Sequence, residues 1–248
     1  MPHAWELAQG DLASFHQQDR LPLGHYSLLP PVEPAIVLGA EDNFCTQPQS
    51  RKTGLAAMRP AAIEPFRRPD PAEDVWLIPR DSSSIATPGQ PIPRPSGCTK
   101  LDAGVALAAI VGSSGAIAGY CVAIDMVRRD VPIEHAYLAR SYPGHTVLGP
   151  VLCTVDELSH PTKVELALDV DKQPRQRSLL SDMVVSPPTL LESIQKRCTL
   201  APGDVVLLGT PPGNALDRGH GWITDGGIVR AAISGIGEVE VVVAAEEE

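Results

Sequence analysis

Residues 200–213 read LAPGDVVLLGTPPG, and this stretch indicates how the rest of the chain is built. Its apolar run at 204–208 lies between a Pro-Gly turn and a Gly-Thr-Pro turn. Because proline and glycine interrupt helices, a short apolar run enclosed in this way is typical of a buried β-strand. The whole chain repeats this punctuation, with 25 prolines and 21 glycines among 248 residues. The sequence therefore predicts a mixed α/β, β-rich protein with many turns.

Similar runs lie on both sides of this stretch. They predict strands at 35–39, 75–78, 106–111, 116–124, 164–170, 204–208, 228–233 and 239–243. One segment instead predicts a helix, because residues 186–198 (SPPTLLESIQKRC) have prolines in the first turn and apolar residues on one face. We divide the chain into an N-terminal appendage and flap region, residues 1–74, and a β-rich domain, residues 75–248.

Composition limits the classes of function. An apolar fraction of 43% and a charged fraction of 20% are enough for a folded core. A net charge of −10 and an aromatic fraction of 4% disfavour a nucleic-acid or anionic-membrane surface. No apolar run approaches the ~20 residues of a membrane helix, and no signal peptide is visible. The five cysteines form no C-x-x-C pair, so we expect reduced thiols in a cytoplasmic protein.

Five segments, taken in chain order, resemble segments of the fumarylacetoacetate hydrolase (FAH) family. They are residues 117–130 (IAGYCVAIDMVRRD), 148–150 (LGP), 175–183 (RQRSLLSDM), 200–213 (LAPGDVVLLGTPPG) and 233–237 (ISGIG). The resemblance covers roughly residues 75–245 and implies a mixed β-sandwich roll with short helices, usually as a homodimer. It also implies a small-molecule partner, a 2-oxo acid or β-dicarbonyl bound to a divalent cation that three carboxylates hold. The family's reactions are C–C hydrolysis, decarboxylation, hydration and tautomerisation.

The metal ligands of the family are mostly missing from this chain. Its metal segment aligns with residues 101–112 (LDAGVALAAIVG), which places the two ligand glutamates on Gly104 and Ala106. Only the third ligand keeps a carboxylate, at Asp125. Because Mg²⁺, the family norm, relies on several oxygen ligands, we expect no metal site and no cofactor.

The rest of the family's catalytic set also differs. Gln47 aligns with the general-base histidine, and a glutamine can orient a water but cannot take its proton. Arg140 aligns with the active-site lysine, keeping the charge and adding a fork that suits a carboxylate. The resemblance thus gives Asp125, Arg140 and Gln47 as catalytic candidates. The substrate-binding candidates are Arg129, Tyr142, Thr210 and Asn43.

Structural roles stay open for two of these residues. Asp125 could form an ion pair with Arg128 or Arg129 and serve only the fold. Thr210 lies in a Gly-Thr-Pro turn and could act as turn punctuation.

Three functions remain open. The leading hypothesis is metal-independent isomerisation, decarboxylation or cyclisation of a 2-oxo or β-dicarbonyl acid, driven by positioning and electrostatics. A second is a catalytically inactive binding or partner subunit. A third is a metal-dependent C–C hydrolase whose lost ligands are supplied by residues such as Glu41 or Asp42. Fold alone does not choose among them, because function resides in the site.

Overall fold

A computed structural model describes residues 28–44, 75–158 and 163–245. Within these ranges the strands are β1 (Val37–Glu41), β2 (Trp76–Arg80), β3 (Ile85–Ala86), β4 (Ile92–Pro93), β5 (Leu101–Val111), β6 (Ile117–Arg128), β7 (Thr146–Leu148), β8 (Cys153–Thr154), β9 (Glu165–Val170), β10 (Gln173–Leu179), β11 (Val205–Leu207), β12 (Ile228–Ile233) and β13 (Gly237–Ala244). The α-helices in the same ranges are α1 (Ala136–Arg140), α2 (Pro187–Gln195) and α3 (Ala215–Arg218). Single 3-10 turns lie at Ser82–Ser84, Ile133–His135 and Leu180–Asp182. None of the described helices has the length and apolar character needed to cross a membrane.

The strands form two sheets. The larger follows the order β2-β1-β11-β5-β6-β7-β3, with β8 also paired to β6. The smaller follows the order β10-β9-β12-β13-β4. Most neighbours are antiparallel, and the parallel pairs are β1–β11, β3–β7 and β4–β13. This strand-rich architecture with short helices confirms the predicted fold class.

Every run predicted as a strand overlaps a strand of the structure, and the predicted helix contains α2. Strand β10 was not expected, because its sequence QPRQRSL is polar and only Gln176 in it is buried. Strand β1 belongs to the segment 1–74 that we separated as an appendage. It nevertheless pairs with both β2 and β11, so the larger sheet includes residues from both segments.

Strand β5 is buried along both of its faces, which explains its uninterrupted apolar run. Val105 and Leu107 belong to the core between the two sheets. The alternate residues Ala106 and Ala108 belong to a second apolar cluster, which also holds Ala123 of β6. We call the face that carries Ala106 and Ala108 the inner face of the larger sheet.

The larger sheet curls around this inner face. Arg80, on strand β2 at one edge, contacts Asp125 on β6, although strands β1, β11 and β5 lie between them. Gly39, Gly104 and Ala106 present little or no side chain to this face, while Val205 and Leu207 of β11 fill part of it. Because Gly39 has no side chain, the Arg80 guanidinium has the space to reach Asp125 across the curl.

Asn43 fastens the end of β1 to two distant segments. Its Nδ2 donates hydrogen bonds to the carbonyl oxygens of Val185 (3.1 Å) and Leu208 (2.9 Å). Its Oδ1 accepts a hydrogen bond from the Val185 amide at 2.8 Å, and the side chain is fully buried. Both amide hydrogens of this substrate-binding candidate are therefore used within the fold.

We predict that Asn43→Ala lowers the free energy of unfolding by about 3 kcal/mol, because it leaves three buried backbone groups without partners. Asn214→Ala is the matched control, since Asn214 caps α3 with a single bond to the Asp217 amide. Its loss costs about 1 kcal/mol. Urea unfolding of the two variants measures the difference, and equal costs would show that the three bonds of Asn43 do not fasten β1.

Candidate active site

Four charged side chains meet at one end of the curl. Glu41 ends β1, Arg80 ends β2, Asp125 lies near the end of β6, and Arg140 ends α1. Directly opposite residues of paired strands share a face, and Asp125 lies opposite Gly104 on β5. The side chain of Asp125 therefore points to the inner face, next to the apolar cluster of Ala106. We call these four residues the charge cluster.

The charges of the cluster alternate. Arg80 contacts both oxygens of Asp125, with Nε 3.2 Å from Oδ1 and Nη2 2.5 Å from Oδ2. The same Nη2 lies 3.8 Å from Oε1 of Glu41, and Nη2 of Arg140 donates to Glu41 at 3.0 Å. The exposed fractions of the side chains are 1% for Arg80 and 3% for Arg140, and near 11–12% for the two carboxylates. The chain Asp125–Arg80–Glu41–Arg140 thus has formal charge zero in a nearly dry site.

Gly39 provides the space in which the Arg80 guanidinium lies. A Cβ added to Gly39 would lie 1.8 Å from Nη1 and 2.4 Å from Cζ of Arg80. Nη1 also donates to the carbonyl oxygen of Ile78 at 3.0 Å. The Ile78 carbonyl oxygen thus holds the guanidinium at Nη1, and the two oxygens of Asp125 hold it at Nε and Nη2. Such a paired contact is typical of arginine with a carboxylate.

The guanidinium groups keep Asp125 ionised. Burial favours the protonated form of its carboxyl, but the charges of Arg80, Arg140 and Arg129 and the hydrogen bonds from Arg80 outweigh it. The pKa of Asp125 therefore lies below its ordinary value. An ionised carboxylate at this position is able to accept a proton from a bound acid.

The place of the first missing glutamate is filled by a threonine. A Cβ added to Gly104 would lie 2.2 Å from Oγ1 of Thr210. This hydroxyl accepts a hydrogen bond from Nε2 of Gln176 at 3.1 Å, and Oε1 of Gln176 accepts one from the Val105 amide at 2.8 Å. Thr210 thus reaches the inner face beside Asp125 and also joins the 210–211 turn to strands β5 and β10.

The residues present do not fit a divalent cation. Ala106, at the second missing glutamate, lies in the apolar cluster, and Asp125 gives both oxygens to Arg80. In the ranges that the structure describes, no three His, Cys, Asp or Glu side chains come together as a metal site. Glu41 is near, but the guanidinium of Arg80 stands between it and Asp125.

The other candidates lie around the cluster at different distances. Arg129 pairs with Asp102 at 3.3 Å, and Asp102 also accepts the Ala215 and Leu216 amides at the start of α3. This arrangement anchors α3, and Arg129 reaches Asp125 only as a neighbouring charge. Gln47 lies outside the described residues.

Tyr142 binds Arg128, the arginine at the end of β6. Its hydroxyl accepts a hydrogen bond from Nη1 of Arg128 at 3.3 Å, and Arg128 in turn pairs with Asp130 at 2.8 Å. The ring of Tyr142 also lies 5.3 Å from that of His145. The ion pair of Asp125 with Arg128 or Arg129, which the sequence left open, is thus replaced by a pair with Arg80.

Arg80 is the residue that sequence reasoning missed. It follows the apolar run VWLIP of residues 75–79, where a single arginine is usually a solvated strand end. The signal that could have found it is Gly39, because a glycine inside a buried strand often marks a close approach by another group.

Two buried nitrogen atoms next to the cluster have no hydrogen-bond partner among the described residues, Nε of Arg140 and Nε2 of His145. His145 is fully buried, and its Nδ1 lies 3.3 Å from the carbonyl oxygen of Ala139. Burial lowers the pKa of His145 to about 4, although the Ala139 carbonyl and Asp125 act in the opposite direction. At neutral pH the imidazole is therefore uncharged.

Comparison with known proteins identifies the group to which this architecture belongs. Residues 55–244 match the family model for the C-terminal domain of fumarylacetoacetate (FAA) hydrolase. The chain belongs to the fumarylacetoacetate hydrolase family, as the five sequence segments indicated.

Individual relatives agree with this assignment. The chain is similar to the maleylpyruvate hydrolase of Aquipseudomonas alcaligenes, with 30% identity over 177 residues, 67% of this chain and 59% of that protein. The chain thus spans about three fifths of the length of this relative. The crystal structure of 5-carboxymethyl-2-hydroxymuconate delta-isomerase from Mycobacterium smegmatis is similar, with 26% identity and a TM-score of 0.74 over 94% of this chain and 87% of that one. The crystal structure of maleylpyruvate hydrolase from Sphingobium sp. SYK-6 shares the fold, with 24% identity and a TM-score of 0.73. The match covers 98% of this chain and 81% of that one.

We predict that His145 makes the protein less stable in acid. The unfolded chain binds a proton near pH 6.5 and the folded chain only near pH 4, so protonation favours the unfolded state between these values. Lowering the pH from 6.5 to 4.5 should cost roughly 2–3 kcal/mol, a loss that His145→Gln removes.

Urea unfolding at a series of pH values measures this loss. His135→Gln, the same change at an exposed histidine, is the control and should keep the full pH dependence. If His145→Gln also keeps it, the buried imidazole is not the source.

Proposed function

We propose that the chain is an FAH-family enzyme that isomerises a small anionic 2-oxo or β-dicarbonyl acid without a bound metal ion. The charge cluster is the observation that carries this proposal, because it combines two buried guanidinium groups with an ionised carboxylate on the inner face. Relatives named maleylpyruvate hydrolase and hydroxymuconate isomerase support the substrate class.

Arg140 is the proposed anchor for a substrate carboxylate. Its Nη2 is bound to Glu41, while its buried Nε has no partner among the described residues. A guanidinium offers a planar fork that matches a carboxylate, and charge-assisted bonds of this kind contribute about 1.5–3 kcal/mol each. With the proton of the neutral His145 ring on Nδ1, toward the Ala139 carbonyl oxygen, the unpartnered Nε2 is an acceptor that suits a substrate hydroxyl close to Arg140.

Asp125 is the proposed proton carrier. Removing a proton next to a carbonyl produces an enolate, which nearby fixed positive charge stabilises. Asp125 is ionised and accepts that proton, and returning it to another carbon completes an isomerisation. Decarboxylation and cyclisation rely on the same enolate and remain within the proposal.

Isomerisation is the reaction that these residues suit best. A hydrolase must activate a water, whereas an isomerase only moves a proton within its substrate. The general-base position of the family aligns with Gln47, which has no titrating nitrogen. Divalent metal, when a related enzyme holds it, supplies positive charge to the carbonyl oxygen. In this chain that charge is available from arginine side chains.

Turnover of maleylpyruvate and of 5-carboxymethyl-2-hydroxymuconate, followed by ultraviolet absorbance, tests the proposal. We expect conversion of at least one of these acids that is unchanged by EDTA and by added Mn²⁺. Asp125→Asn should lower kcat by about 100-fold or more, and Arg140→Ala should raise KM by about tenfold or more.

Asp169→Asn is the matched control, because Asp169 pairs with Arg177 on the smaller sheet and should leave kcat unchanged. Conversion that requires Mn²⁺ would favour the metal-dependent hydrolase instead. If the wild-type protein converts neither acid and binds neither, the charge cluster is not an active site for this substrate class.

A further inference from the structure

We infer that the Arg80 guanidinium is the resident cation of this site, so that a divalent cation can bind between Asp125 and Glu41 only by displacing it. The inference deepens the proposed function and rests on it for one point, that a substrate oxygen meets this cation. The contacts of Arg80 carry the rest of the argument.

The Arg80 guanidinium lies between two carboxylates, 2.5 Å from Asp125 and 3.8 Å from Glu41. An oxygen ligand of a divalent cation has to present its lone pairs to the metal. Each oxygen of Asp125 already accepts a hydrogen bond from Arg80, so a metal ion at Asp125 would have to share the carboxylate with the guanidinium.

The residues around the Arg80 guanidinium leave a space that fits it. Gly39 leaves the space that Nη1 and Cζ fill, and the Ile78 carbonyl oxygen accepts one hydrogen of Nη1. Thr210 fills the volume above Gly104, the residue opposite Asp125 on β5. The space beside Asp125 is thus filled by a planar guanidinium that the backbone accommodates, and the described residues bring no third acidic or metal-ligating side chain to it.

The formal charge of the charge cluster also disfavours a divalent cation while Arg80 is present. With Arg80 in place the charge cluster is neutral, and a divalent cation would give this nearly dry site a formal charge of +2. Without Arg80 the cluster carries −1, because Arg140 is then the cation left in it against Glu41 and Asp125, while the nearby Arg129 is paired with Asp102. Uncompensated charge in a buried site is costly, so the first state repels a divalent cation and the second attracts one.

Not every N–H hydrogen of the Arg80 guanidinium is used in these contacts. A guanidinium has five N–H hydrogens. Asp125 accepts two of them and Ile78 a third, which leaves one hydrogen on each terminal nitrogen without a hydrogen bond in the described parts of the chain. Nη2 also forms the longer ion pair with Glu41 at 3.8 Å, so these hydrogens would bind the oxygen of an enolate next to Asp125 in competition with Glu41, and the positive charge would stabilise that oxygen.

Calorimetric titration of the EDTA-treated full-length protein with Mn²⁺, and separately with pyruvate, tests the inference. Arg80→Gln retains a polar side chain but removes the charge, and Arg80→Ala is the second variant if Gln does not fold by circular dichroism. We expect the wild-type protein to show no saturable Mn²⁺ binding at concentrations up to about 1 mM, because only weak surface contacts are left for the ion. Arg80→Gln should bind one Mn²⁺ per chain about tenfold more tightly or better.

Pyruvate reports the second half of the inference. Arg80→Gln should bind pyruvate about tenfold more weakly than wild type, and Mn²⁺ should restore the affinity. Adding Asp125→Asn to the Arg80→Gln variant should abolish both the Mn²⁺ binding and the restoration of pyruvate affinity. Arg177→Gln, the same change in the Arg177–Asp169 ion pair of the smaller sheet, is the control and should behave as wild type.

Two results would overturn the inference. One is Mn²⁺ binding by the wild-type protein as tight as that of the Arg80 variant, and the other is a folded Arg80 variant whose Mn²⁺ affinity is unchanged. Because the Mn²⁺ titration uses no substrate, it separates the two proposals. An expected Mn²⁺ result without any turnover overturns only the proposed function, while EDTA-resistant turnover with an unchanged Mn²⁺ affinity overturns only the role of Arg80.

Discussion

The ion pair between Arg80 and Asp125 is the interaction on which the inner face of the larger sheet depends. It joins strands β2 and β6, which three other strands separate in the sheet. A buried charge without a partner is costly, so each of the two residues constrains the position of the other. Gly39 fits this constraint, since a side chain there would occupy the volume of the guanidinium, whereas the space over Gly104 is taken by Thr210.

Buried polar residues away from the charge cluster keep this arrangement in place by binding backbone. Asn43 fastens β1, Gln176 joins β5 to the turn that carries Thr210, and Asp102 binds the start of α3. Their partners lie far apart in sequence, so each bond fixes one segment against another. The family fold is thereby retained although the residues at its centre differ from the family pattern, because fold and site depend on different residues.

Much of the fold could be predicted from the sequence, because local pattern determines it. The apolar run of β5 and the prolines that begin α2 are properties of neighbouring residues. The polar strand β10 escaped prediction, since its pairing with β9 provides backbone partners that its own side chains do not indicate.

The site was only partly predictable for a similar reason. Asp125 and Arg140 were found through the family resemblance, and the structure places both in the charge cluster. Arg80 was not found, because its partner lies 45 residues away and an arginine at a strand end has no distinguishing local pattern. Glu41 entered only as an alternative metal ligand, whereas the structure gives it two arginines as partners.

The central claim is that a guanidinium, and not a metal ion, is the cation beside Asp125. A crystal structure grown with Mn²⁺ and oxalate, with an anomalous difference map at the manganese edge, tests it most directly. The account predicts no anomalous peak within about 3 Å of Asp125, Arg80 still bound to both carboxylate oxygens, and oxalate on Arg140. An anomalous peak on Asp125 with Arg80 displaced would contradict it.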